Sequence, residues 1–162
     1  MNYFGRAFWL GALLVLLSAC GFKLRETPLL GASFEQFYVH STQPHAPLYR
    51  AFYQRLQQLP YQLLEQPEVT EPVITLYPER LDRRLLSLFS TGQVAEYELV
   101  YQVRYRVTLP NTEPQEFEFE LRREYQDDPN AVLAKSREMQ IILSEMRDKA
   151  SERILRQLSK LG

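Results

Sequence analysis

Apolar and polar positions alternate most regularly in the middle of the chain. Tyr97, Leu99, Tyr101, Val103, Tyr105, Val107 and Leu109 share one parity. Glu96, Glu98, Gln102, Arg104, Arg106 and Thr108 share the other, with Val100 alone out of pattern. A period of two over that length predicts a long strand with one buried and one wet face. After the Pro110–Pro114 turn, Phe117, Phe119 and Leu121 alternate with Glu116, Glu118, Glu120 and Arg122. The two segments predict an antiparallel hairpin. Pairing Val107 with Phe117, Tyr105 with Phe119 and Val103 with Leu121 matches apolar groups on one face. It also sets Arg106 against Glu118 and Arg104 against Glu120 on the other. Upstream, Phe34 to His40 reads as a first strand with Phe37 and Val39 on one face. Pro47 suits a first helical turn, Leu48, Phe52, Leu56 and Leu59 recur at helical spacing, and Pro60 stops that helix. Tyr61 to Leu64 is a short strand. Val73 to Phe89 is strand-like, with an edge, bulge or break at Pro78.

The last element is helical. Asp128 as cap and Pro129 as first residue open it. Val132, Met139, Leu143, Met146, Ala150, Ile154, Leu158 and Leu161 then form one stripe at steps of three, four or seven. That predicts a helix of about thirty residues, ~45 Å long. One sheet with a single apolar face and two amphipathic helices are satisfied together when both helices cover that face. The expected fold is α+β: a two-layer α/β sandwich, its sheet mostly antiparallel, with two helices packed on one face.

The start of the chain follows a different pattern. Arg6 precedes an unbroken apolar run, Ala7 to Leu17, and the run ends in Leu17-Ser18-Ala19-Cys20. Spanning a bilayer takes roughly 20 apolar residues, so the run is of signal-peptide rather than membrane-helix length. The four residues match a bacterial lipobox. Residues 1–19 are therefore read as a lipoprotein signal peptide, Cys20 as the lipidation site, 20–33 as a lipidated tether and 34–162 as a single α/β domain. Each buried acyl CH₂ contributes about 0.8 kcal/mol, and two or more chains anchor stably. Gly21 rather than Asp follows the cysteine, which favours the outer membrane over the inner.

Composition narrows the class of function. The formal net charge is −1, and loss of Arg6 with the signal takes it to −2. Bulk charge gives no basis for nucleic-acid binding. Cys20 is the single cysteine, so the domain is held by packing rather than disulfides, with ten Tyr and nine Phe to supply bulk. No glycine-rich phosphate loop, nucleophile elbow or cofactor motif is present. His40 and His45 flank a proline-containing connection without a cysteine to complete a metal or nucleophilic site. Glu116, Glu118 and Glu120 fall on a solvated strand face opposite arginines. An envelope lipoprotein hydrolysing glycan or lipid would have to use these groups, and that is the alternative function considered.

Two features ask for more than a structural role. Leu85, Leu86, Leu88 and Phe89 put apolar groups on both faces of one strand, and Val94 follows the Ser90–Gln93 turn. A bulge could bring both sets inward, or a partner could bury them. Leu86, Leu88, Phe89, Ser90 and Val94 are the candidate partner contacts. Lys135, in Ala131-Val132-Leu133-Ala134-Lys135, lies about 40° around the helix from Met139, beside the apolar stripe. It can snorkel to water or serve a phosphorylated amphiphile, with Arg80, Arg83 and Arg84 as further cations.

The chain resembles the LPS-assembly lipoprotein family LptE. The resemblance rests on Cys20-Gly21-Phe22-Lys23-Leu24-Arg25, on Gly92-Gln93-Val94-Ala95-Glu96-Tyr97, on Arg123-Glu124-Tyr125 followed by Asp128-Pro129, on Ala131 to Lys135, and on Glu145-Met146. It implies the same fold, and a non-catalytic protein of the outer membrane. Such proteins plug the β-barrel of LptD, support its assembly and help deliver lipopolysaccharide to the cell surface. The partners implied are LptD, lipopolysaccharide and the membrane through the N-terminal lipid. Lipopolysaccharide binding in the family is attributed to basic positions, of which Lys135 matches one. The other, in the turn before Gly-Gln, is Ser90 or Thr91 here, and Arg83 and Arg84 are the neighbouring cations. No cofactor is implied.

Overall fold

The computed structural model describes residues 30–161, and the signal segment and Cys20 lie outside them. A 3-10 turn at Ala32–Phe34 leads into β1 (Gln36–Ser41), then α1 (Pro47–Leu56), β2 (Gln62–Leu64), β3 (Val73–Leu76), β4 (Arg80–Leu88), β5 (Val94–Thr108), β6 (Gln115–Gln126) and α2 (Val132–Leu158). The helices and a six-stranded mixed sheet form the expected two-layer α+β fold.

β1 runs parallel to both β2 and β3. The β1–β2 link contains α1, the kind of crossover that parallel neighbours require. Pro47 does stand in the first turn of α1, and Leu48, Phe52 and Leu56 are its buried face. β3 and β4 both pair antiparallel with β5 along the same side, the break between them falling at Tyr77-Pro78-Glu79. β6 pairs with the other side of β5. β1 lies beside β3 and not beside β4, so the outer edge of β4 has no strand against it among the described residues.

The alternation of β5 is realised as read. Leu99, Tyr101, Val103, Tyr105 and Val107 are buried in one cluster with Phe37, Val39, Ile74 and Leu76 and the buried faces of both helices. Burying each such side chain contributes about 1.5–3 kcal/mol. Val100, the exception, is also fully buried, although it belongs to the opposite face. It sits in register between Asp82 and Arg122, and Arg84 and Arg122 converge on Glu98 next to it. The aliphatic stems of such charged side chains can cover one valine.

Three expectations are corrected. The β5–β6 hairpin is shifted by two residues from the pairing expected. Tyr105 stands opposite Phe117, Val103 opposite Phe119, Arg106 opposite Glu116 and Arg104 opposite Glu118. A shift of two keeps every side chain on its face, so the apolar pattern alone does not distinguish the two registers. The turn decides it. Asn111 takes φ 57°, and Thr112 bonds back to the Leu109 carbonyl through its amide (3.3 Å) and its hydroxyl (3.2 Å). The chain reverses sooner than the two prolines suggested. Tyr105 then stacks on Phe117 at 5.1 Å, and Arg106 meets Glu116 at 2.6 Å.

The second correction is the start of α2, at Val132 rather than near Pro129. Asp128 Oδ1 instead accepts from the Asn130 amide at 2.9 Å, and its carbonyl from Ala131 at 3.1 Å. The acid closes a turn of its own rather than capping the helix. The third is the helix stripe. Val132 is exposed, and Ile142, Ser151 and Leu155 join the buried face. The packed core also reaches back to Leu30, whose amide donates to the Tyr61 hydroxyl at 2.7 Å.

Candidate functional site

The β4–β5 hairpin ends in a tight loop. The Phe89 amide donates to the Gln93 carbonyl at 2.8 Å and the Gly92 amide to the Phe89 carbonyl at 2.9 Å. Gly92 has φ +83°, the left-handed position this reversal needs, and an L side chain would be strained there. Ser90 and Thr91 are exposed at the tip and Val94 is half-buried. The β4 register is irregular on both sides of Ser87, whose hydroxyl donates to Glu96 at 2.7 Å. That irregularity does not turn the leucines inward. Leu85, Leu86, Leu88 and Phe89 remain between 46% and 55% exposed, and Leu81 joins them.

The first turns of α2 arrive at the same end. Tyr97 of β5 pairs with Leu85 of β4 on one side and with Tyr125 of β6 on the other. Lys135 Nζ stands 5.3 Å above the Tyr125 ring, and the Arg83 guanidinium 5.3 Å above the Tyr97 ring. Two cations thus rest on adjacent aromatic faces, each contact contributing about 0.5–1 kcal/mol. The Tyr125 hydroxyl donates to the Lys135 carbonyl at 3.1 Å, tying the helix turn to the ring. The Lys135 ammonium also bonds Glu138 Oε2 at 2.9 Å, and this bond raises the lysine pKa. Val132 and Leu133, three and two residues before Lys135, are largely exposed.

The sequence candidates therefore divide. Lys135 and Arg83 come together beside the exposed leucines. Arg84 points to the other face of the sheet, where it lies 4.0 Å from Glu98. Tyr97, Tyr125 and Glu138 were not singled out from sequence. Glu138 was available as an i,i+3 partner of Lys135. Tyr97 falls within strand alternation that equally describes plain core, and both tyrosines stand in the family motifs without an assigned role.

The groups a hydrolase would use are dispersed or engaged. His40 is exposed on β1, and His45 precedes α1. Glu116 takes hydrogen bonds from Arg106 and Tyr77, and Glu120 from Gln102 and Arg122. These bonds hold both carboxyls below their ordinary pKa, with Arg106 the main cause for Glu116 and Gln102 for Glu120. Among the described residues no three His, Cys, Asp or Glu side chains are grouped to hold a metal ion.

The family model for LptE, described as lipopolysaccharide-assembly, matches residues 34–158. The chain belongs to the LptE family. It is 32% identical to the LPS-assembly lipoprotein LptE of Photorhabdus laumondii over 149 residues, covering 92% of this chain and 82% of that one. It is 29% identical to the protein of that name from Yersinia enterocolitica over 150 residues, with 92% and 72% covered. The crystal structure of rare lipoprotein B from Shewanella oneidensis superposes with a TM-score of 0.72 at 40% identity, covering 78% of this chain and 95% of that one. The solution structure of a lipoprotein B from Nitrosomonas europaea gives 0.65 at 27% identity, covering 87% and 92%. Membership in LptE makes the chain a lipopolysaccharide-assembly factor and not an enzyme, which sets the hydrolase alternative aside.

Proposed function

We propose that this LptE-family chain is an outer-membrane lipoprotein that sits as a plug inside the LptD β-barrel. There it assists assembly of the barrel and helps pass lipopolysaccharide to the cell surface, without catalysing a reaction. The observation that carries the reading is the hairpin tip. Leu81, Leu85, Leu86, Leu88 and Phe89 stay half-wet after both helices have packed. Exposed apolar groups grouped at one end of a domain mark a contact surface, and a barrel wall is one that could enclose both sides of a strand. Leu86, Leu88, Phe89, Ser90 and Val94 are the proposed contacts.

Lys135 and Arg83 are the proposed cations for the phosphates of lipopolysaccharide. They stand beside exposed apolar groups that acyl chains can meet, the pairing of chemistries that a phosphorylated amphiphile presents. Arg84, turned to the far face and close to Glu98, has the weaker claim. Lipidation at Cys20 would deliver the domain to the membrane.

The test is photo-crosslinking from the tip. A photo-reactive residue at Leu88 or Ser90 should yield a crosslink to a large barrel in detergent-solubilised outer membranes, and depletion of the chain should lower mature barrel. A chain recovered alone, with surface lipopolysaccharide unchanged on deletion, would overturn the proposal.

A further inference from the structure

Lys135 is an odd anion-binding residue, because its ammonium is already occupied. Its Nζ lies over the Tyr125 ring, and the Tyr125 hydroxyl donates to its backbone carbonyl. Its charge is met from the side by Glu138 at 2.9 Å. The lysine side chain is 21% exposed, whereas that of Glu138 is 48% exposed. The carboxylate can therefore swing into water, while the ammonium stays over the ring. A carboxylate brings one negative charge on two oxygens; a phosphate monoester brings up to two, on three. Both would use the same donors of one ammonium. Asp128 adds a weaker negative field to the lysine from the turn before the helix.

We infer that Glu138 is a built-in competitor for Lys135, an affinity-setting residue whose carboxylate a bound phosphate must displace. The inference rests on the proposed role of Lys135 in binding lipopolysaccharide. It assigns Glu138 a definite function. The salt bridge lowers the affinity of the Lys135 ammonium for an incoming anion, and yields to a phosphate carried on an amphiphile whose acyl chains also meet Leu133 and the β4 leucines. Arg83 sits on the neighbouring Tyr97 ring.

An exposed i,i+3 ion pair is weak, and removing the acid also removes its repulsion of a bound phosphate. Together these predict that Glu138→Gln binds phosphorylated lipopolysaccharide about three- to fivefold more tightly. The measurement is the Kd of the full chain, purified in detergent, for lipopolysaccharide and for its enzymatically dephosphorylated form. Lys135→Gln should weaken binding to the phosphorylated ligand. The double variant Lys135→Gln/Glu138→Gln should behave like Lys135→Gln alone. Glu145→Gln removes one charge from the same helix, from a pair with Arg123 at 3.5 Å, and should change nothing.

Tighter binding in Glu138→Gln, confined to the phosphorylated ligand and lost in the double variant, supports the inference. Weakened binding in Lys135→Gln with none gained in Glu138→Gln overturns it and leaves the role of Lys135 standing. Equal gains in Glu138→Gln and Glu145→Gln overturn it as an effect of bulk charge. No change in either Lys135→Gln or Glu138→Gln overturns the role of Lys135 itself.

Discussion

At the scale of single residues, the most buried ion pair among the described residues lies away from the tip. Glu79, just past the Pro78 break, accepts from the Tyr101 hydroxyl and from Arg147 at 2.9 and 3.2 Å. It clamps the β3–β4 junction to α2, and burial pushes the Tyr101 hydroxyl pKa up. Arg147→Met would strand a carboxylate whose side chain is only 15% exposed. A loss of about 2–4 kcal/mol is expected, read as a shifted urea midpoint, with Tyr101→Phe costing about 1 kcal/mol. Glu116 gives a prediction in pH. Its pKa is lowered in the fold from an ordinary 4.5, with Arg106 the chief cause. A depressed acid stabilises above its unfolded pKa and loses that contribution as pH falls through its folded value. The chain should therefore melt at a higher temperature than Glu116→Gln near neutral pH, and the gap should close as pH falls below 4.5 and through the lowered folded value. A gap that widened on acidification would contradict the assignment. Neither Glu79 nor Arg147 stood out in the sequence. Their contact joins residues 68 positions apart, and no periodic pattern carries such a pairing.

At the scale of elements, what could be read followed from burial on one side. β5 was legible because its inner face is covered by two helices while its outer face is wet, so alternation and environment agree. The two-residue shift of β6 and the late start of α2 were not, since each is set by a local turn: Asn111 with Thr112, and Asp128 with Asn130. β4 was legible as an anomaly. Its apolar groups on both faces did not fit one helix layer, and the fold leaves them exposed. Core and tip should therefore respond differently to mutation. Leu155→Ala, at a fully buried helix position, should cost about 2–5 kcal/mol by chemical denaturation. Leu86→Asp or Leu88→Asp should change stability by less than about 0.5 kcal/mol, yet reduce co-purification with the barrel. A destabilisation at Leu88 equal to that at Leu155 would mean that the tip belongs to the core.

At the scale of the molecule, strand direction separates the start of the described chain from the tip. β5 starts at the tip with Val94 and ends at Thr108, opposite Val73 and, through it, Tyr38. β1 begins still further on, at Gln36, next to Gln62 and the Leu30–Tyr61 contact. The described chain thus enters at one end of the sheet and presents its exposed leucines at the other. The fifteen residues of β5 alone span about 50 Å, comparable to a bilayer with its headgroups. If Cys20 is lipidated in the inner leaflet of the outer membrane, this arrangement directs the tip across the membrane, away from the anchor. The lipid then supplies an address and a local concentration, while binding is carried by a domain that folds on its own packing. Replacing the signal and Cys20 with a soluble export signal should accordingly lower the amount of chain at the membrane more than it lowers affinity for the barrel. Crosslinks from Ser90 should map to the cell-surface half of the barrel wall, and those from Gln62 to its periplasmic half. Ser90 crosslinks on the periplasmic side would reverse the orientation. A lipid-free chain unable to bind the barrel would make the anchor part of the binding surface rather than its address.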